Sequence, residues 1–517
     1  MKSEPGLVQK VSRLFDQHWE HRILWTRIIF SLYYKLTGEL NYIGLTLIGF
    51  SGLLLLGGLL YRAFRKTGLP VYYFLPVTFW LFTLQSHENL TWAMASIQNF
   101  HVLVFIFGAY YLLALNTRPA FFGALIPASM ACFTSGNGIL CFVAGAIVLV
   151  LLGHYKRSMV WALAGVVCAF LYFFDYQRIN FFPSAFRYGL FTWVKAFFVF
   201  PGGFLDTYPY TRPVAIGYNS PTYLTFALGL GLFASLLILL FQGLIKPRFF
   251  SRRLSTFQPT FWDIFFGCGI LFLLGTDAML VYARVGFGGA EYMLQGRYKV
   301  YSPLFLSLCY LYFLWRNRED VRLPAYWAVV SLITIPVSLY SDYQCLESLV
   351  NQQRKAIAGY LTWRLQTPIQ NQKTFESVFP RPDLPLEIPA SVRAEAGTVP
   401  KAKVDQVMEE PFYYQLFRKN SVNPDWDRPE EGSFIILNGR DSIYVFPARP
   451  LRPYSLPDSL MGRVKKNGYF TDAFQAQIPK ESLKPGTYRI GLLTSRNRSI
   501  RYSITPVVIR YTTPVFQ

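Results

Sequence analysis

The chain has 517 residues, of which 52% are hydrophobic and only 15% charged, whereas a soluble domain usually carries about a quarter. Its formal charge of +21 could suit a nucleic-acid binder, but the basic residues gather at the ends of apolar blocks, which argues against that class. The apolar blocks also lack the polar stripe of a soluble surface helix, which argues against a soluble helical bundle.

In chain order, residues 7–38 read as interfacial helix: Leu24, Trp25, Ile28, Ile29, Leu32 and Tyr33 share one face, with Arg22, Arg27 and Lys35 elsewhere. Next come ten candidate spans, at 41–61, 69–85, 98–116, 119–134, 138–153, 158–174, 222–243, 261–281, 300–315 and 324–341, judged against the roughly 20 apolar residues that a crossing helix needs. Several are short, and the pair flanking Ser135-Gly136-Asn137-Gly138 also reads as a hairpin that does not fully cross. The aromatic loop 175–221, with its amphipathic stretch Phe186–Phe200, suits a re-entrant or surface-lying segment. Residues 342–371 read as an amphipathic helix, and 372–432, rich in Pro and charge, as a linker. From 433 to 517 the pattern turns to period two, with candidate strands at 433–438, 441–446, 468–478, 486–494 and 499–511. The expected fold is therefore mostly α: a polytopic helical bundle followed by a small β-sandwich-like domain, which reads as a binding or docking module.

Charge placement gives a topology. Arg62, Arg65, Lys66, Arg118, Lys156, Arg157, Lys246, Arg248, Arg252, Arg253, Arg316, Arg318 and Arg322 fall on alternate loops, whereas the opposite loops hold Arg178, Arg187, Lys195, Arg212, Arg284, Arg297 and Lys299. The positive-inside rule makes the first set cytoplasmic and leaves residues 433–517 outside. Ten spans would then put the N-terminal tail outside despite Lys2, Lys10, Arg13, Arg22, Arg27 and Lys35. Either the tail is translocated against its charge or a further helix lies upstream of the sequence, and we favour the second. Cys132, Cys141, Cys168, Cys268, Cys309 and Cys345 show no paired spacing and read as core filler.

Chemistry is expected on the outer face. Asp16, His18, Glu20, His21 and Arg22 precede the first span, His87-Glu88-Asn89 form the next outer loop, and His101 lies just inside the following span. Three readings stay open: Asp16, Glu20 and Glu88 line a polar cavity in which one is a general base; the His and Glu side chains bind a divalent metal, although no tight motif such as H-E-x-x-H is present; or the residues cap helices and form interfacial ion pairs. A second group, Asp277, Arg284, Gly286, Gly288-Gly289, Glu291, Arg297, Tyr298 and Lys299, combines close backbone approach with guanidinium forks suited to phosphate. A plainer reading has these basic groups simply touching bilayer phosphates.

The order Glu20-His21-Arg22, an arginine-bearing surface helix, His87-Glu88-Asn89 with Trp92, Ser135-Gly136-Asn137-Gly138 and Arg284…Arg297-Tyr298 resembles the GT-C superfamily of multi-span glycosyltransferases over roughly residues 15–340. That resemblance implies a lipid-phosphate-linked sugar donor used on the outer face. Asp16 or Glu20 would be the base, with Glu88 a second acidic group. Arg284 and Arg297 would bind phosphate, and His21, Arg22, His87 and Tyr298 complete the expected substrate-binding set. No metal ligand is assigned and no cofactor is named. The sequence departs from the family in showing no span just before the catalytic acid, so a non-catalytic relative serving as a subunit of an envelope assembly is the alternative, and a lipid or solute transporter the third. Expected partners are membrane lipid, the lipid-linked sugar and an envelope protein docking on residues 433–517, with no nucleic acid. The expected location is a bacterial inner membrane.

Overall fold

The architecture comes from a computed structural model, which describes residues 6, 12–18, 20–177, 184–207, 222–241, 259–366, 392, 400–410, 413–419, 421–422, 428–451, 473–497 and 499–512. Arg178, Arg212, Lys246, Arg248, Arg252 and Arg253 of the topology reading, and most of the expected linker, lie outside these residues. The chain divides into two compact units, Met1–Cys345 and Leu346–Gln517.

The first unit is helical. After α1 (Leu24–Thr37) come α2 (Tyr42–Arg65), α3 (Leu75–Leu81), α4 (His87–Thr91), α5 (Ala93–Ala114), α6 (Arg118–Cys132), α7 (Leu140–Leu151), α8 (Tyr155–Phe173), α9 (Leu190–Val199), α10 (Thr222–Leu240), α11 (Phe261–Gly288) and α12 (Tyr301–Arg316). Helix α13 (Leu323–Gln366) runs across the boundary between the units. The amphipathic helix read at 342–371 is thus its continuation rather than a separate element.

Local chemistry explains these limits. The Asn41 side chain accepts from the amides of Ile43 and Gly44 and starts α2. A reciprocal capping box starts α11: the Asp263 amide donates to Thr260 Oγ1 at 3.3 Å while the Thr260 amide donates to Asp263 Oδ2 at 2.9 Å. Helices α2 and α5 pack closely because glycine permits it. A Cβ on Gly49 would stand 2.2 Å from Ser96 Oγ, and one on Gly52 would stand 2.4 Å from the His101 ring.

Among the described residues, six helices are long and apolar enough to cross a membrane: α2, α5, α8, α10, α11 with its 3₁₀ extension, and α13. This corrects the expected ten. The stretch 69–85 carries Pro70 and Pro76 and forms a short 3₁₀ turn and the 7-residue α3. The candidates at 119–134, 138–153 and 300–315 give helices of 15, 12 and 16 residues. At 1.5 Å per residue, these reach roughly 18–24 Å of the roughly 30 Å that a bilayer core requires. The outward faces of α8 and α10 are apolar, with Leu163, Val166, Phe170, Leu224 and Leu237 all exposed, as lipid contact demands and water does not. All six cysteines are buried and free.

The second unit is a sandwich of two four-stranded sheets, ordered β1-β2-β6-β5 and β4-β3-β7-β8. The strands are β1 (Gln406–Glu409), β2 (Tyr413–Lys419), β3 (Gly432–Gly439), β4 (Ile443–Pro447), β5 (Arg449–Pro450), β6 (Ala473–Pro479), β7 (Gly486–Arg496) and β8 (Ser499–Tyr511). Leu416, Ile478, Ile435, Ile490 and Ile509 share one core between the sheets. β1 and β2 fall inside the stretch read as linker, so the β unit starts before residue 433. The outer face of the second sheet packs Phe434, Ile436 and Leu493 on Ile357 and Leu361 of α13. Beneath them the buried Arg354 guanidinium donates to the carbonyls of Pro429 (2.8 Å), Glu431 and Ser433.

Candidate functional site

Four segments of the first unit converge on one cluster: the hairpin His18–His21, helix α4, the turn Gly136–Ile139, and the end of α11 with the segment to Val300. The hairpin closes through His18 N to His21 O (2.7 Å) and its reciprocal bond (2.9 Å), which presents Glu20 and His21 together. The Glu20 carboxylate pairs with Arg284 Nη2. Arg284 Nε donates to the Tyr298 hydroxyl at 3.2 Å. The Arg297 guanidinium stands 5.1 Å from the centre of the same Tyr298 ring and donates to the Tyr292 hydroxyl at 3.4 Å. Tyr298 therefore joins the two arginines.

Arg297 also feels Glu88 and His21. Burial alone would lower its affinity for its proton, but the fields of Tyr298, Glu88 and Tyr292 outweigh it and raise the group above its ordinary value. Its Nε is buried and donates to nothing among the described residues. Asn89 holds the segment in place by donating to the Arg297 carbonyl at 3.0 Å, and it is fully buried. His87 packs against Gly296, where a Cβ would stand 2.8 Å from the ring.

His21 lies 3.5 Å from Glu20, yet burial first, then the charges of His18 and Arg297, push it down to about 4. It is a neutral imidazole at neutral pH, and its Nδ1 has no hydrogen-bond partner among the described residues. A Cβ on Gly136 would sit 3.3 Å from that nitrogen, so the glycine turn is the wall His21 faces. Asn137 of the same turn donates to the Tyr301 hydroxyl at 2.7 Å.

Not every expected residue joins. Asp16 pairs with Arg13 at 3.7 Å, with its side chain 45% exposed. The Arg22 guanidinium donates to the carbonyls of Phe15 (2.5 Å), Tyr172 (2.6 Å) and Phe174, which closes the end of α8 rather than facing a ligand. His101 accepts from Trp25 Nε1 at 2.8 Å and contacts the Ile48 carbonyl at 3.0 Å, a structural role. Lys299 forms a buried pair with Asp206 at 2.6 Å. Asp206 carries no signal in its own sequence neighbourhood, because its partner is far along the chain. Asp277 is fully buried in α11 and neither carboxylate oxygen has a hydrogen-bond partner among the described residues. Among the described residues no group of three or more His, Cys, Asp or Glu side chains could hold a metal ion.

The chemistry available is thus two guanidiniums beside a partly open carboxylate and a neutral imidazole. Planar forks of this kind suit phosphate oxygens, and a nearby carboxylate suits proton removal. No protein-family model, no curated protein and no solved structure matches the chain.

Proposed function

We propose that this membrane protein is a glycosyltransferase of the GT-C type, moving a sugar from a polyprenyl-phosphate-linked donor to a cell-envelope acceptor on the outer face of a bacterial inner membrane. The observation that carries the reading is the shared Tyr298, which gathers Arg284 and Arg297 into one anion site with Glu20 on its edge.

The donor phosphate would take the place of Glu20 on Arg284, freeing the carboxylate. Glu20 then accepts the proton of the acceptor hydroxyl. The acceptor oxygen bonds to the anomeric carbon, the bond from that carbon to the phosphate oxygen breaks, and its electron pair leaves with the phosphate. Arg284 and Arg297 hold the charge that develops there. Glu88 keeps Arg297 oriented, and the C-terminal β unit, on the same outer side, holds the acceptor or an envelope partner.

The test is turnover of the full chain in lipid nanodiscs with polyprenyl-phosphate sugars, scored as release of free polyprenyl phosphate. Loss of release in Glu20→Gln and Arg297→Ala, both folded, supports the reading; full activity in either sinks it. A C-terminal alkaline phosphatase fusion that stays inactive in cells would overturn the outer placement. The third reading, a transporter, draws on Asp277, a carboxylate without a hydrogen-bond partner among the described residues, inside a candidate span. Ion-coupled uptake that Asp277→Asn abolishes would favour it. The compact C-terminal unit favours the alternative, a subunit of an envelope assembly. Stable co-purification of a partner without turnover would select it.

A further inference from the structure

A pocket of about 290 Å³ opens on the outer face of sheet β4-β3-β7-β8, lined by Asn438, Thr487, Arg489, Tyr502, Ile504 and Val508. A break in the sheet produces it. Arg489 pairs with Val508 and Gly491 with Ile504, so Thr505, Pro506 and Val507 stand against the single residue Ile490. Pro506 has no amide to give the ladder, and the Thr505 hydroxyl instead donates to the Ile490 carbonyl at 2.9 Å. Residues 400–402 close the other edge, with Ala402 N donating to Ile504 O at 2.8 Å. Opposite the bulge, Gly491 lets the Tyr502 phenol lie across the strand: a Cβ there would stand 2.5 Å from its hydroxyl. Bulges re-aim side chains and collect at binding sites, and here the bulge leaves the Arg489 fork, an amide and two hydroxyl side chains around one recess with an aliphatic rim.

We infer that this pocket binds a single acidic sugar residue, with Arg489 on its carboxylate, Thr487, Tyr502 and the side-chain carbonyl oxygen of Asn438, whose Nδ2 donates to the Val392 carbonyl at 2.8 Å, on its hydroxyls, and Ile504 and Val508 against its C–H face. The volume lies at the small end of ligand sites, roughly 300–1,000 Å³, which fits one pyranose ring rather than a larger ligand. The exposed guanidinium selects an anion, and the ring of mixed donors and acceptors selects a polyol. The site is read out by binding alone, so it stands or falls apart from the transfer reaction proposed above.

The experiment is saturation-transfer NMR on the full chain in phosphatidylcholine nanodiscs, with free glucuronate, glucose and inorganic phosphate as probes. Glucuronate is expected to bind, and glucose and the Arg489→Ala variant to show binding weaker by about 10–100-fold, the weight of one charged hydrogen-bonded contact. Tyr502→Phe keeps the ring over Gly491 and removes only the hydroxyl, so it serves as the fold-preserving control and is expected to bind about tenfold more weakly. Undiminished glucuronate binding in folded Arg489→Ala and Tyr502→Phe overturns the inference. So does glucose binding as tightly as glucuronate, or phosphate displacing glucuronate at equal concentration, which would leave a plain anion site.

Discussion

Two charged sites lie within a few residues of each other along the chain and could hardly be built more differently. Lys299 and Asp206 are sealed, with side chains 2% and 4% exposed, and the ammonium also donates to the Asp206 carbonyl at 2.7 Å. Around Arg297 and Arg284 the side chains are partly open, Glu20 being 23% exposed, and Arg297 Nε lacks a hydrogen-bond partner among the described residues. The first arrangement leaves nothing for a ligand to do. The second leaves donors to be filled and a carboxylate that another anion can displace. Residue type alone does not separate structural from functional charges; the completeness of pairing and the access of solvent do.

The comparison breaks most visibly at the sealed pair. Lys299→Ala leaves a buried carboxylate without its ammonium and should cost about 3–5 kcal/mol, read as loss of folded protein or a large drop in melting temperature in detergent. Lys299→Met combined with Asp206→Leu should recover much of that loss, because removing both charges removes the penalty. If the single variant melts like the parent, the pair is not structural. At the open site the expected pattern is the reverse. Glu20→Gln should leave the melting temperature nearly unchanged and lower turnover by about 10²–10⁴-fold, the usual contribution of a positioned base. Arg297→Lys should come next: it keeps the charge but loses the fork, and should weaken donor binding by about tenfold, seen as a higher KM with a smaller change in kcat. Equal effects of Glu20→Gln on melting and on turnover would erase the distinction between the two sites.

Much of this was legible in the sequence, and what was not has physical causes. Apolar blocks mark candidate membrane helices, but block length overstates them at 69–85, where Pro70 and Pro76 break the block into a 3₁₀ turn and a 7-residue helix. Short apolar runs between turn signals mark β3, β4, β6, β7 and β8. β1 and β2 escape because they are embedded in the Pro- and charge-rich stretch that reads as linker. Glu20, Arg284, Arg297 and Tyr298 stand out as polar groups at the ends of apolar blocks, so a cluster on one face could be expected. Their pairing could not, since contacts such as Glu20 to Arg284 depend on which helix ends the bundle brings together. Arg22 shows the limit most clearly: it lies two residues from Glu20, yet the end of α8 claims its guanidinium through the carbonyls of Tyr172 and Phe174.

The smallest effect tests the open site from the side of protonation. His21 faces Glu20 from its own hairpin, His18 across that hairpin, and Arg297 from the segment after α11. Its ordinary value of 6.5 is pushed down to about 4 by burial and by those positive neighbours. Between pH 6.5 and 4 the unfolded chain therefore takes up a proton that the folded chain refuses. Stability from this group is complete above pH 6.5 and is lost as pH falls through that window, by at most about 1.4 kcal/mol per pH unit. His21→Gln removes the titration while keeping a polar side chain of similar reach, so its melting temperature should fall less steeply from pH 7 to pH 5 than the parent's. Parallel slopes in the two proteins would mean that His21 is protonated in the folded state. The open site would then carry one more positive charge beside Arg297, and Glu20 would be shared between His21 and Arg284 rather than held ready for an acceptor's proton.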